Sequence, residues 1–200
     1  MKKIMFNDKY GLTKAVLEGR KTQTRRVINA PEGKLYPCYF NGDLTSVHLK
    51  DNRAIVYLPA YKVGDEVAVA QRYSEIKVFE TMAIQQELNE TFLLEKFEQS
   101  KGWSNKMFVN PKYMPHRIRI TNIRVERLQN ISDEDCLNEG LSISSPPLQY
   151  MAGYWADHTD RFKKFDTPKE AFASIIDKTC GRGTWQSNPY VFVYDFELIK

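Results

Sequence analysis

The chain has 200 residues, a formal net charge of +4 and a pI near 8.8, with 42% hydrophobic and 12% aromatic residues. This composition is typical of a globular protein with one buried core rather than of a disordered chain. No run approaches the roughly 20 apolar residues of a membrane span, and no apolar signal segment follows the first lysines. We therefore expect a cytoplasmic protein that does not enter a membrane and whose mild positive charge suits an anionic partner.

A short strand at "KIMF" and a helix over residues 10–18 are the first predicted elements. The helix is indicated by apolar residues at helical spacing, and Gly19 supplies its stop. Those apolar residues are Leu12, Ala15 and Val16.

A basic run, "GRKTQTRR", follows this helix directly over residues 19–26. Residues 1–34 hold nine Lys or Arg against three acids. Arg20 and Lys21 would interact favourably with the C-terminal dipole of the helix. The run continues beyond the point where the chain must change direction, so we predict a turn that leads into a strand.

The middle of the chain has a β pattern that one helical segment interrupts. "LYPCYF", "LTSVHL" and "RAIVYL" are separated by the turn signals "NGD" and "DN", and "VGD" precedes the alternating strand "EVAVAQ". Within residues 76–112, Ile84, Leu88 and Phe92 recur at helical spacing. We predict that 76–112 is an insertion.

The last third carries the clearest helix and strand signals. Residues 116–128 alternate as a strand, and its arginines are predicted to form a solvated face: Arg117, Arg119, Arg124 and Arg127. Ser132 caps a short helix that ends at Gly140. Thr167, Pro168 and Gly181 bound a helix over 168–180, and 190–199 is the closing strand. The predicted fold class is α+β, a small mixed β-barrel with peripheral helices and an inserted helical segment.

Cysteine and histidine usage gives no sign of a metal or redox site. The cysteines are odd in number and form no CxxC pattern, and the histidines have no ligand spacing beside them: Cys38, Cys136 and Cys180, then His48, His116 and His158. We expect no disulfide framework, no metal and no cofactor. A nuclease would need a carboxylate cluster or a histidine pair, and neither is evident in the sequence.

The order of these motifs resembles the ASCH family of the PUA-like superfamily. The resemblance lies in pieces that include "EGRKTQTRR", "VGDEV", "NEGL" and the final aromatic strand: 10–30, 61–73, 116–141 and 184–199. It is greatest to the larger bacterial and bacteriophage members. The chain is then a single domain, 1–200, with extra material at 31–60, 76–112 and 142–166.

The resemblance implies a barrel with a cleft between the first helix and the barrel, used by relatives to bind RNA or nucleosides. Some small bacterial members are amidohydrolases that remove acyl groups from N4-acylated cytidine with a lysine, a threonine and a glutamate. The motifs carry these roles to Lys21, Thr24 and Glu139.

The residue chemistry is compatible with that reaction. A threonine hydroxyl becomes a nucleophile when a base takes its proton, and a lysine serves as that base if burial or neighbouring cations lower its pKa. The neighbouring cations here would be Arg20, Arg25 and Arg26. Lys21 and Thr24 would converge only if the chain turns between them, since they would face opposite ways along a regular strand.

Two hypotheses from different classes therefore stay open. The first is a binding module that contacts RNA or a nucleotide through the basic run, namely Arg20, Lys21, Arg25 and Arg26. The second is a hydrolase in which Thr24 attacks, Lys21 acts as base and Glu139 orients the lysine or holds a substrate amine. One scaffold hosts many functions, so a fold resemblance alone does not separate them. The oligomeric state is left open.

Overall fold

The computed structural model describes residues 1–30, 35–40, 43–50, 53–76, 95–143, 150–151 and 164–199. The fold class is α+β, as predicted. Its strands are β1 (Lys2–Ile4), β2 (Gln23–Val27), β3 (Leu35–Phe40), β4 (Asp43–Lys50), β5 (Arg53–Tyr57), β6 (Glu66–Val69), β7 (Arg117–Arg127), β8 (Ser142–Ile143), β9 (Tyr150–Met151), β10 (Lys164–Phe165) and β11 (Tyr190–Ile199). The longer helical segments are α1 (Leu12–Leu17), α2 (Asp133–Asn138), α3 (Pro168–Cys180) and α4 (Thr184–Ser187).

The main sheet has five strands in the order β1-β6-β7-β11-β2. β1 runs parallel to β6, whereas β6 is antiparallel to β7 and β11 is antiparallel to β2, so the sheet is mixed. Among the described strands, β1 and β2 form its two edges and no hydrogen-bonded strand joins them. The sheet is therefore open, and the closed barrel expected from the sequence is not formed by these strands.

The chain divides into two compact units. The first comprises Met1–Phe6, Glu66–Arg119 and Leu198–Lys200, and the second comprises Asn7–Asp65 and Ile120–Glu197. Each unit has a core of its own. The prediction of a single domain stays a prediction.

The core of the first unit is partly aromatic. The Tyr73 ring packs edge-to-face on the Phe97 ring with centroids 4.6 Å apart, and Phe97 packs in the same way on Tyr113 at 5.5 Å. Residues 95–98 are helical. The rest of the predicted helical periodicity, within 77–94, lies outside the described residues.

The core of the second unit is formed where α2 and α3 pack beside the last strand. Its buried side chains are Leu128, Ile131, Cys136, Leu141, Ala171, Phe172, Ile175, Ile176, Val191 and Val193. Both predicted helix starts are confirmed, because Ser132 Oγ accepts from Asp135 N at 3.0 Å and Thr167 Oγ1 accepts from Glu170 N at 3.3 Å. The predicted strands over 116–128 and 190–199 are confirmed as well.

The predicted insertions contain small sheets outside the main one. Residues 35–57 supply the antiparallel sheet β3-β4-β5, and the described parts of 142–166 supply β8-β9-β10. None of the helices that the structure describes is both long enough and apolar enough to cross a bilayer.

Candidate functional site

The basic run begins in a tight turn that joins α1 to β2 in the second unit. Gly19 has a φ of 72°, in the left-handed region that glycine tolerates, and the backbone N–H groups of Arg20 and Lys21 both donate to Ala15 O at 2.9 Å. Thr22 N then donates to Asn138 O at 2.9 Å. The turn therefore brings the basic run to the C-terminal end of α2, where Glu139 follows.

The side chains of the run separate into two groups. Along β2, Gln23 and Arg25 project to the face that contacts α2, whereas Thr24 and Arg26 project to the other face, because side chains alternate along a strand. Lys21 and Arg25 are buried, and Arg26 is exposed. The fourth cation, Arg20, is exposed as well and pairs with Glu18 at 2.7 Å.

Lys21 contacts Glu139 although 118 positions separate them in the sequence. Lys21 Nζ donates to Glu139 Oε2 at 2.6 Å, to Glu139 O at 2.8 Å and to Gln23 O at 2.7 Å. These three acceptors use the three N–H groups of an ammonium. The structure thus brings together two of the three residues that the resemblance selects.

Thr24, the third residue, is not hydrogen-bonded to this pair, and its side chain projects to the face of β2 opposite Gln23 and Arg25. The residue is 5% exposed, and Thr24 Oγ1 makes no hydrogen bond to any residue that the structure describes. Because Lys21 Nζ is 2.7 Å from Gln23 O, standard peptide geometry places Nζ within about 6 Å of Thr24 Cα.

The surroundings of Lys21 favour loss of its proton. Burial lowers the pKa of Lys21 below its ordinary value, the Glu139 carboxylate opposes this effect, and the positive charges of Arg26 and Arg25 add to it. The pKa of Lys21 is lowered on balance, because its ammonium group is almost completely removed from water.

Arg25 is the centre of a buried network on the α2 side of β2. Its Nε and Nη2 donate to Glu126 Oε1 at 3.1 and 2.7 Å, Nη2 also donates to Asp135 Oδ2 at 2.8 Å, and Nη1 donates to Glu139 Oε1 at 3.2 Å and to Gln23 Oε1. Arg25 was predicted as an anion contact. The structure directs its guanidinium to protein carboxylates instead.

Arg124 extends this network and corrects one prediction from the sequence. It was expected on a solvated face, but it donates to Asp195 Oδ2, Asp135 Oδ2 and Glu126 Oε2 at 2.8, 2.8 and 3.2 Å. Sequence reasoning missed these acidic partners. The sequence did contain one signal for the Glu126 partner. Arg124 and Glu126 are two positions apart on β7 and therefore share a face of the strand.

Phenol rings lie on the Thr24 side of the sheet. Tyr194 is directly opposite Thr24 in the β11–β2 register, and its hydroxyl accepts from Ala60 N at 2.9 Å. The Tyr61 ring packs edge-to-face on Tyr194 with centroids 5.4 Å apart. Burial raises the pKa of both phenols, so they are neutral at physiological pH. The exposed Arg26 is on this same face of β2.

The described ranges contain no candidate metal site, and the cysteines in them are free of disulfide bonds. No cluster of three or more His, Cys, Asp or Glu side chains there is arranged to hold a metal ion. Cys38, Cys136 and Cys180 are free thiols. Burial raises the pKa of Cys136 to about 12, which keeps this thiol protonated and unreactive.

Gly140 allows α1 and the basic turn to approach the Glu139 backbone closely. It has a φ of 96°, and a Cβ there would lie 3.2 Å from both Ala15 Cβ and Lys21 Cβ. We expect Gly140→Ala to lower the free energy of unfolding by about 2–3 kcal/mol, through backbone strain and the contact with Lys21. Chemical denaturation measures this change.

Gly64→Ala is the matched control, because Gly64 has a φ of 88° and its Cβ would meet nothing within 4 Å. It should cost about 1 kcal/mol, from backbone strain alone. Equal losses for the two variants would show that the close approach of Gly140 to Lys21 contributes nothing.

Comparison of this chain with protein-family models, with curated proteins and with solved structures finds no match.

Proposed function

We propose that this chain is an ASCH-type, PUA-like domain that hydrolyses the acyl amide of an N4-acylated cytidine. The observation that supports the proposal is the 2.6 Å contact between Lys21 Nζ and Glu139 Oε2, in which the same Nζ also donates to Gln23 O, the carbonyl of the peptide bond that leads to Thr24. A nucleophile, a buried base and a carboxylate partner of the base are the elements of an acyl-transfer site.

In the proposed reaction, the neutral amine of Lys21 takes the hydroxyl proton while Thr24 Oγ1 attacks the acyl carbon. The C–N bond then breaks, and the proton passes from Lys21 to the departing 4-amino group. Water hydrolyses the resulting ester on Thr24, with Lys21 again as base. The products are the carboxylic acid and cytidine, and the threonine is restored.

Glu139 serves this cycle by holding Lys21 in place. Its Oε2 and backbone oxygen both accept from Lys21 Nζ, which fixes the position of the amine beside the Gln23–Thr24 peptide.

The first test is turnover of N4-acetylcytidine by the purified protein, followed as release of acetate and cytidine. We expect wild-type turnover that Lys21→Met abolishes. Lys169→Met is the control, because Lys169 is exposed at the start of α3, and it should retain full activity. No turnover by the wild type across acetyl, propionyl and benzoyl cytidines would refute the proposed reaction.

The second candidate function is binding of RNA or a nucleotide without chemistry. Exposed Arg20 and Arg26 favour it, and Arg26 lies on the same face of the sheet as Thr24 and as Tyr194, which is opposite Thr24 on β11. Lys21 and Arg25 contribute less to this function, because their charges are directed to carboxylates inside the protein.

We expect Arg26→Glu to weaken the affinity for a short single-stranded RNA by about tenfold at low salt. The reason is that a phosphate contact is replaced by a repulsion. Fluorescence anisotropy at two salt concentrations measures the change, which should shrink as salt rises. Arg182→Glu, at another exposed arginine, is the control. If Arg26→Glu behaves like Arg182→Glu, Arg26 is not a phosphate contact.

A further inference from the structure

Two buried cations share the carboxylate of Glu139. Its Oε2 lies 2.6 Å from Lys21 Nζ, and its Oε1 lies 3.2 Å from Arg25 Nη1. The exposed fractions of the Lys21, Arg25 and Glu139 side chains are 1%, 0% and 7%. The Glu139 carboxylate therefore contacts two buried cations, of which Arg25 has Glu126 and Asp135 as further counter-ions at 2.7 and 2.8 Å.

Arg25 cannot turn away from Glu139 without losing other contacts. All five of its N–H groups are engaged, by Glu126, Asp135, Gln23 and Glu139. Its guanidinium also lies 5.9 Å from the centre of the Phe172 ring. Because every donor of this planar guanidinium is engaged, Arg25 is held rigidly in its contact with Glu139.

We propose that Arg25 is a positioning residue, which shares Glu139 with Lys21 so that the carboxylate does not fully neutralise the lysine and the lysine proton stays mobile. This inference rests on the proposed hydrolysis and adds a residue with a role that the hydrolysis itself does not assign. It also gives Arg25 a role other than contact with a phosphate.

The charges around the pair define the direction of the effect. Glu139 at the end of α2 faces Lys21, and Arg25 and Arg26 on β2 are its neighbouring cations. Arg25 contacts Glu126 on β7 and Asp135 on α2. Arg124 on β7 contacts the same two carboxylates. Asp195 on β11 joins the network through its contacts with Arg124 and Gln23. Removing the Arg25 charge leaves Glu139 to Lys21 alone, so Lys21 should hold its proton more tightly.

The test is an NMR titration of the Lys21 side chain, observed through ¹⁵Nζ in protein labelled with isotopic lysine, without substrate. The Lys21 signal is the one that is missing from Lys21→Met. We expect Arg25→Met to tighten proton binding by Lys21 by about tenfold or more. Arg25→Lys keeps the charge and should reverse most of this shift.

Arg124→Met is the matched control, because Arg124 belongs to the same network and contacts Glu126, Asp135 and Asp195 but has no hydrogen bond to Glu139. It should change proton binding by Lys21 less than threefold. If Arg25→Met does not fold, the double variant Arg25→Met with Glu126→Gln removes one charge of each sign. That variant should show the same direction, because Glu126 does not contact Lys21.

The inference is overturned if Arg25→Met leaves the Lys21 titration within threefold of the wild type, or if Arg124→Met moves it equally. The proposed hydrolysis is tested separately by turnover. If the wild type hydrolyses acylated cytidines but the titration does not respond to Arg25, the reaction stands and the inference fails. If the titration responds but nothing is hydrolysed, the charge relation stands and the reaction fails.

Discussion

Thr24→Ala is expected to lower turnover of N4-acetylcytidine by on the order of 10³-fold or more, because it removes the attacking oxygen. Thr24→Ser keeps a hydroxyl and should retain part of the activity. Ligand affinity should stay within about twofold for both variants, since a small side chain is changed. Single-turnover kinetics and a binding titration measure the two quantities.

Thr22→Ala is the matched control, because Thr22 belongs to the same run and its backbone, rather than its side chain, makes the contacts to Asn138 and Phe196. It should leave turnover nearly unchanged. A binding module without chemistry gives a different pattern, in which Thr24→Ala and Thr24→Ser have similarly small effects on affinity and no acid is released by the wild type.

The activity should also rise with pH. The base form of Lys21 is the neutral amine, and burial lowers the pKa of this group below its ordinary value of about 10.4. Turnover should therefore increase as pH rises through the lowered pKa of Lys21, and reach its plateau below pH 10.4. A rate that is flat with pH across the alkaline range would contradict Lys21 as the base.

Glu139→Gln is expected to lower the free energy of unfolding by about 3–5 kcal/mol at pH 7, because it leaves the buried Lys21 ammonium without a carboxylate. Urea denaturation measures the loss. Glu134→Gln is the control, because Glu134 is exposed on α2, and it should change stability by less than about 0.5 kcal/mol.

This loss should depend on pH in a defined direction. Without Glu139, the pKa of Lys21 in the folded protein falls further below the unfolded value of about 10.4. At pH values between the folded and the unfolded pKa of Lys21, the unfolded chain binds more protons than the folded protein. The stability of Glu139→Gln therefore rises with pH across that window. Below the folded pKa the loss is complete.

Adding Lys21→Met to Glu139→Gln should restore most of the lost stability, because it removes the uncompensated charge. The double variant should also lose the rise in stability that Glu139→Gln shows with pH. A double variant as unstable as Glu139→Gln alone would show that the loss comes from packing and not from the charge of Lys21.

Most elements of secondary structure could be predicted from the amino-acid sequence, because their signals are local. Thr167, Pro168 and Gly181 set the bounds of α3, and Ser132 caps α2, since capping depends on residues three or four positions apart. The alternation of apolar side chains likewise predicted β7 and β11. Lys21, Thr24 and Glu139 were selected by the resemblance to the ASCH family and not by a local signal, and their proposed roles stay predictions.

The partners of the charged side chains in the basic run depend on tertiary contacts. Alternation along β2 separates Arg25 from Arg26, but only the docking of α2 and β7 shows that Arg25 meets Glu126, Asp135 and Glu139 while Arg26 stays exposed. The same docking moved Arg124 from an expected solvated face into ion pairs. Partners more than 100 positions apart leave no local pattern, because the energy of a charge depends on which distant segment folds against it and on how much water that segment removes.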